Sequence, residues 1–359
     1  MHSAKRRSIA LVAAVSALVL AAACSRAASD PQPTQVADQG PAAELHLGYF
    51  PNVTHAAALI GQAKDFFSKE LGSTKLVSQQ YNAGPDEVSA LLGKSLDAAF
   101  IGSGPAINAF AKSDGQAVRL VAGATSGGAQ LVVRAGINGP ADLKGKTVNT
   151  PQLANTQDIA LKKWLSQNKL TEGAGADQVK INNTDNAQTL DLFKQGKIDG
   201  AWLPAPWSSR LVLDAGAKVL LDERSLWPEG KFPTTVLVVR TEFLQQHPKT
   251  VEALLRGELA ATEWALANKG DAEKVVNDQL KALTGKALSQ AVLDDSWNQI
   301  ALTVDPLAGQ FPKLAADQVT AGVVKTAPAV KGFADLTLLN KVLQSANKPA
   351  VDAAGLDKK

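Results

Sequence analysis

Between residues 44 and 222 the hydrophobic positions switch repeatedly between short extended runs and helical spacing. Runs at 45–49, 75–81, 98–101 and 118–122 predict strands, and the stretches 54–71, 85–94 and 105–113 predict helices. Alternation of this length predicts an α/β fold with a parallel sheet. From residue 241 the spacing becomes helical, over 248–268, 271–284, 289–299, 314–324 and 336–346, with Pro248 suited to a first helical turn. These helices are expected to pack around the first of two lobes.

Two lobes follow from an internal repeat. Asn82-Ala83-Gly84 opens a helix leading into Leu96-Asp97-Ala98-Ala99-Phe100-Ile101, and Asn183-Thr184-Asp185 opens one leading into Ile198-Asp199-Gly200-Ala201-Trp202-Leu203. Upstream, residues 49–54 match 149–156 with a two-residue slip, each passage being a strand, a proline turn and a polar cap. Leu131-Val132-Val133-Arg134 recurs as Leu237-Val238-Val239-Arg240. The two copies bracket the second block, so they are expected to be crossover strands forming a hinge, as well as core strands. The expected division is 44–134 with 235–346 as lobe one, and 135–234 as lobe two.

The ends have a different composition. Lys5, Arg6 and Arg7 precede an apolar run, residues 9–22, too short to span a bilayer comfortably and closed by small residues. Residues 1–23 are therefore expected to be a signal peptide, with a hint of twin-arginine export in Arg6-Arg7. Cys24, the sole cysteine, follows directly. The site resembles a bacterial lipobox, with Ala21 where leucine is favoured, which implies a lipid on Cys24 and a lipoprotein anchored to the outer face of the cytoplasmic membrane. Residues 24–43, rich in Ala, Pro, Gln and Ser, are expected to be a flexible tether, and 347–359 a flexible tail. Removing residues 1–23 takes three bases and no acid from a chain of 37 bases and 34 acids, leaving a balanced charge. That argues against a nucleic-acid partner.

Several segments carry a family resemblance. They are Leu47-Gly48-Tyr49-Phe50-Pro51-Asn52-Val53-Thr54-His55, Ala99-Phe100-Ile101-Gly102-Ser103-Gly104-Pro105, Gly123-Ala124-Thr125-Ser126-Gly127-Gly128, Thr150-Pro151-Gln152-Leu153-Ala154-Asn155-Thr156 and Ile198-Asp199-Gly200-Ala201-Trp202-Leu203-Pro204-Ala205-Pro206-Trp207. Their order and spacing resemble substrate-binding proteins of sulfonate, nitrate and taurine ABC transporters. The resemblance spans roughly residues 45–345. It implies a type II periplasmic-binding-protein fold, two α/β lobes joined by two crossover strands, that closes on one small molecule and passes it to a permease and its ATPase. The family handles sulfonates, nitrate, urea and vitamin precursors.

The residues themselves point to a neutral anion site. Ligands of open α/β sheets sit at the carboxyl ends of strands, where helices begin. Helix starts offer unpaired N–H groups and positive partial charge. Asn52, Thr54 and His55, then Ser103 and Gly104, Ser126 and Gly127, and Asn155 and Thr156 all occupy such places; each also serves as an ordinary cap or turn residue. Tyr49, with Phe50, reads as pocket wall or core, Trp202 as core, and Trp207 as an aromatic wall. Arg210 has two readings, anion ligand or surface ion pair. The family often carries Pro-Glu-Pro-Trp where this chain has Pro204-Ala205-Pro206-Trp207, and the missing acid disfavours taurine and favours an amine-free alkanesulfonate. A binding protein, monomeric and without cofactor or metal, is the expectation. An enzyme is the alternative, with only His46, His55 and His247 after processing and no metal-ligand spacing or nucleophile elbow. Binders of nitrate, taurine or a thiamine-precursor pyrimidine, and a sensor-coupled receptor module, are further alternatives.

Overall fold

The computed structural model describes residues 37–358; the signal segment and Cys24 lie outside the described residues. In chain order the strands are β1 (Glu44–Tyr49), β2 (Lys75–Gln80), β3 (Ala98–Gly102), β4 (Val118–Gly127), β5 (Ala129–Val133), β6 (Thr147–Thr150), β7 (Lys180–Asn183), β8 (Gly200–Pro204), β9 (Lys218–Asp222), β10 (Pro233–Arg240) and β11 (Ile300–Leu302). The helices are α1 (Ala56–Ala63), α2 (Phe66–Leu71), α3 (Gly84–Leu92), α4 (Ser103–Lys112), α5 (Thr156–Gln167), α6 (Asn186–Lys194), α7 (Trp207–Ala215), α8 (Thr241–Gln246), α9 (Pro248–Ala267), α10 (Lys269–Thr284), α11 (Gln290–Asn298), α12 (Phe311–Thr320) and α13 (Thr337–Ser345).

Two sheets result. Lobe one has the order β11-β4-β10-β3-β1-β2 and lobe two the order β7-β6-β8-β5-β9. In lobe one β1 is parallel to β2 and β3, and β10 runs antiparallel to β3. In lobe two β6 is parallel to β7 and β8, and β5 runs antiparallel to β8. The repeat read from the sequence is thus a repeat of topology.

The shared Leu-Val-Val-Arg has its explanation here, and it is not the expected hinge. Leu131, Val132 and Val133 pair with Trp202, Ala201 and Gly200, while Leu237, Val238 and Val239 pair with Phe100, Ala99 and Ala98. Each copy fills the same slot in its own sheet, antiparallel to the central strand. The two are equivalent strands of two lobes and do not pair with each other. The chain crosses between lobes at residues 127–128 and again just before β10. Gly127 and Gly128 have φ of +73° and +86°, and a Cβ on Gly128 would stand 2.5 Å from Ile300 Cγ2 and 3.0 Å from Thr54 Cγ2. Only glycine tolerates that turn in so tight a space.

Lobe one holds a single large core around β1, β3, β4 and β10, covered by α1, α2, α4, α9 and the later helices. Lobe two has a core on each face of its sheet. Leu131 and Val133 of β5 join Trp164 and Trp202 on one face, and Val132 joins Phe193 and Leu203 on the other, the alternation a strand imposes.

Three expectations need correction. The helix expected over 54–71 is a 3-10 turn, Val53–His55, followed by α1 and α2, with a break at Asp65, which has φ +58°. The break turns Phe67 into the core, its ring centroid 6.1 Å from that of Phe100. The tether does not reach residue 43: Gln39 N–H donates to Gln246 O, and the Ala42 N–H donates to Thr250 Oγ1. The tail folds back on lobe one, where Val351 and Asn340 exchange two hydrogen bonds, Leu356 is buried, and its carbonyl accepts from Ala334 N–H. Both ends find backbone partners that their composition did not advertise.

Candidate ligand-binding cleft

The parallel strands of both lobes aim their carboxyl ends at one space. Phe50, Asn82 and Gly102 follow or end β1, β2 and β3; Pro151, Asn186 and Pro204 stand at the ends of β6, β7 and β8. All six line one cavity of about 340 Å³, its open mouth included, together with Asn52, Thr54, His55, Asn155, Thr156 and Gln157, and Thr234 and Thr235 of β10. β10 contributes because it runs antiparallel: Thr235 pairs with Gly102, so its first residues lie at the carboxyl end of β3.

Among the described residues, no lysine, arginine, aspartate or glutamate lines this cavity. Its positive potential comes from helix starts. Gly102 is the N-cap of α4, Asn155 the N-cap and Thr156 the first residue of α5, and Asn186 the first residue of α6. Such starts carry about half a positive charge each at the backbone. An anion held among them needs no charged side chain.

The polar groups are fixed in direction. The indole of Trp207 can only donate, and it donates to Asn52 Oδ1 at 2.9 Å, which leaves the Asn52 NH2 to donate elsewhere. Asn155 Oδ1 accepts the Thr156 N–H at 2.7 Å, likewise turning its NH2 outward from the cap. Thr156 Oγ1 accepts the Gly104 N–H at 3.2 Å across the lobes. A Cβ on Gly102 would stand 2.6 Å from that same oxygen, so glycine is what lets the lobes meet here. Thr235 Oγ1 is buried with no hydrogen-bond partner among the described residues.

His55 is buried, and burial pushes its pKa down to about 3 despite the Phe100 carbonyl. That carbonyl lies 3.1 Å from Nε2, and Thr54 Oγ1 lies 3.2 Å from Nδ1. The ring of Phe50 covers the imidazole at 4.4 Å.

Residues 38–278, more than half of the chain, match the NMT1-like family. The chain belongs to that family. Among its curated relatives, the Taurine-binding periplasmic protein of Escherichia coli (strain K12) is 29% identical over 236 residues, 65% of this chain and 70% of that protein. The Bicarbonate-binding protein CmpA of a Synechococcus species is 25% identical over 270 residues, 65% of this chain but 56% of that protein. Two solved structures share the fold. The alkanesulfonate-binding protein SsuA of Xanthomonas axonopodis pv. citri, bound to MOPS, gives a TM-score of 0.64 at 21% identity over 79% of this chain and 92% of that one. The nitrate-binding protein NrtA of Synechocystis PCC 6803 gives 0.70 at 16% identity over 86% and 90%. The fold of this NMT1-like chain is of the type II periplasmic-binding-protein class.

Not every residue expected at the site of this NMT1-like protein reaches it. Asn52, Thr54, His55, Asn155 and Thr156 line the cavity. Tyr49 lies in the lobe-one core, and burial raises its phenol pKa. Ser103 begins α4 behind Gly102, with its hydroxyl buried and unpartnered among the described residues. Gly104 is engaged by Thr156. Ser126 and Gly127 belong to the crossover, where Ser126 Oγ accepts the Phe232 N–H and Gly127 O accepts from the Thr234 hydroxyl. Trp207 stands at the outer mouth with Pro51, Asn82 and Asp185. Arg210 takes the surface reading, pairing with Asp214 at 3.4 Å and lying 4.8 Å over the Trp207 ring. Ala205 packs into the lobe-one core, fully buried, so its side chain does not face the ligand space and the argument from a missing acid loses its footing.

The sequence reading missed Asn82, Pro151, Gln157, Asn186, Thr234 and Thr235. Asn82 and the 183–185 turn carried a signal, being matched openings of the repeat. The two threonines carried another, as polar residues at the head of an otherwise apolar strand.

Proposed function

We propose that this protein is the substrate-binding component of an ABC importer for a small anion, and that the anion is an aliphatic sulfonate. The observation that carries this reading is the convergence of six strand ends and three helix starts on one uncharged cleft. Several hydrogen bonds to a single charged group, each worth roughly 1.5–3 kcal/mol, hold an anion without a buried cation. The ligands of the relatives, taurine, bicarbonate, nitrate and alkanesulfonate, share a compact negative group and support the same reading. The apolar parts of Phe50, Pro151 and Pro204 suit a short carbon chain better than a bare inorganic ion. His55, which lines the cleft, is kept neutral by burial and has both nitrogens engaged, which supports a binding role.

The protein would work outside the cytoplasm, as a monomer, held to the membrane by lipid on Cys24 and handing its ligand to a permease driven by an ATPase. Native mass spectrometry of freshly purified protein is the direct test: a co-purified mass matching a sulfonate supports the reading, and a cationic or neutral ligand overturns it. Mass analysis of the N-terminus from the native host tests the anchor separately. A diacylglycerol adduct on Cys24 is expected; a free N-terminus at another residue removes the anchor.

A further inference from the structure

The two cleft threonines that the repeat equates, Thr54 and Thr156, present opposite hydrogen-bonding polarity. A carbonyl can only accept, so the contact of His55 Nε2 with Phe100 O places the imidazole proton on Nε2. The other nitrogen, Nδ1, is then a lone pair. Thr54 Oγ1, 3.2 Å away, must donate its proton to it. The Thr54 N–H points at Ala205 O, 3.4 Å away. Thr54 thus has no proton left for a ligand and shows the cavity only oxygen lone pairs. Protonating His55 would reverse this arrangement, but burial keeps the ring neutral down to about pH 3.

Thr156 is the opposite case. Its oxygen accepts the Gly104 N–H, so its own proton is free to donate into the cavity it lines. Asn52 and Asn155 have their carbonyl oxygens occupied, by Trp207 and by the Thr156 N–H, and offer NH2 groups. Thr54, at the lobe-one wall, is therefore a fixed acceptor facing these donors; Thr234, whose hydroxyl donates to the Gly127 carbonyl, is a second one in the lining.

We infer that Thr54 is a specificity-determining residue that selects an anion bearing a hydrogen-bond donor, an amino- or hydroxy-alkanesulfonate, over a plain alkanesulfonate. The sulfonate oxygens would face Thr156, Asn52 and Asn155, and the ammonium or hydroxyl would face Thr54. A methyl group in that place would leave the buried lone pairs of Thr54 unpaired, and sites built to hydrogen-bond a polar group reject the analogue that lacks it. This deepens the proposed function and rests on it. It also replaces the expectation, drawn from Ala205, that the ligand lacks an amine.

The experiment compares three probes of matched size by calorimetry: 2-aminoethanesulfonate, 2-hydroxyethanesulfonate and propane-1-sulfonate. For the unaltered protein at least one donor-bearing probe should bind tenfold or more tighter than propane-1-sulfonate. Thr54→Val should bring that ratio to within about twofold, chiefly by weakening the donor-bearing probe, and Thr54→Ser should keep it. Equal affinities in the unaltered protein would overturn the inference while leaving the anion reading intact. So would a Thr54→Val variant that weakens all three alike. If Thr54→Val fails to fold, the ratio in the unaltered protein and in Thr54→Ser still decides. No binding by any of the three, nor by nitrate and bicarbonate, would overturn the anion reading and this inference together.

Discussion

Lobe one and lobe two give the same arginine two different partners. In both, the arginine ending the shared strand donates Nε to the carbonyl just before an aspartate: Arg240 to Leu96 O at 3.0 Å, Arg134 to Ile198 O at 2.8 Å. In both, its N–H bonds to the carbonyl of that aspartate, Asp97 or Asp199. Beyond this the lobes part. Arg240 reaches Asp97 Oδ1 at 2.8 Å and Glu242 Oε2 at 3.0 Å. Arg134 lays its guanidinium 4.1 Å over the Phe193 ring and donates to the Phe193 carbonyl. The shared role is backbone positioning, and the ion pair is an addition in one copy. The cleft threonines differ in the same way, with common placement and divergent partners. A duplicated frame fixes where side chains stand and leaves their chemistry free to change.

The sharpest way to break this comparison is to treat the two aspartates alike. Asp97→Asn should lower unfolding free energy by about 2–3 kcal/mol, because it leaves the Arg240 charge without its buried partner. Asp199→Asn weakens only the acceptance of the Thr147 N–H at 2.9 Å and should lose about 1 kcal/mol. Urea titration measures both, and equal losses would end the claim that the copies have diverged.

The cleft gives the next largest effect. Thr156→Val leaves the Gly104 N–H without its partner and should weaken sulfonate binding about tenfold, or roughly 1.4 kcal/mol, with Thr156→Ser restoring most of it. Calorimetry on the tightest-binding sulfonate reads this directly. An unchanged affinity would mean that the lobe-to-lobe bond does not contribute to closure.

Buried titratable groups sharpen the comparison through pH. In lobe two, burial raises the pKa of Glu223 to about 8 even though Trp202 Nε1 donates to it, and in lobe one burial raises Glu258 to about 8. The folded state keeps protons that the unfolded chain sheds above about pH 4.5. Stability from these groups is complete below that pH and is lost as pH rises through 8. His55 has the opposite sign, its contribution being present above about pH 6.5 and lost as pH falls through 3. The thermal midpoint should therefore decline from pH 6 to pH 9. Glu223→Gln should raise it by about 2–3 °C at pH 9 and leave it unchanged at pH 4. A rise of equal size at both pH values would show that packing, not ionisation, is responsible.

Smallest of all is Arg210→Ala, expected to change sulfonate affinity by less than about twofold, since its guanidinium pairs with Asp214 and lies over Trp207 and does not line the cavity. A tenfold loss would place that guanidinium on the ligand and contradict an uncharged cleft.

Much of this was legible in the sequence. The repeat of Leu96-Asp97-Ala98-Ala99-Phe100-Ile101 in Ile198-Asp199-Gly200-Ala201-Trp202-Leu203 marked the two central strands, because a buried parallel strand needs a compact apolar run and little else reads that way. Asn52, Thr54, His55, Asn155 and Thr156 were legible because caps sit at predictable distances after strands. What failed was anything set by a partner far along the chain. Leu131-Val132-Val133-Arg134 looked like half of a hinge because its pairing with Trp202, Ala201 and Gly200 leaves no local mark. Thr235 escaped notice because it reaches the site only through the antiparallel direction of β10. The packed residues 349–358 read as a tail because two hydrogen bonds to Asn340 do not alter composition.

The position of β10 bears on how the chain acquires its structure. It lies between β3 and β4 in the middle of the lobe-one sheet, although more than a hundred residues separate it from either in sequence on the β3 side. Lobe two, by contrast, is made from one uninterrupted stretch and has its own cores. Everything its sheet requires has emerged by β9, while the earlier strands of lobe one must wait for a strand made after it. Long-range pairing of this kind closes slowly, since the intervening loop must be ordered first. Lobe two is thus positioned to form first, and by bringing its ends together it shortens the search by which β10 finds its place between β3 and β4.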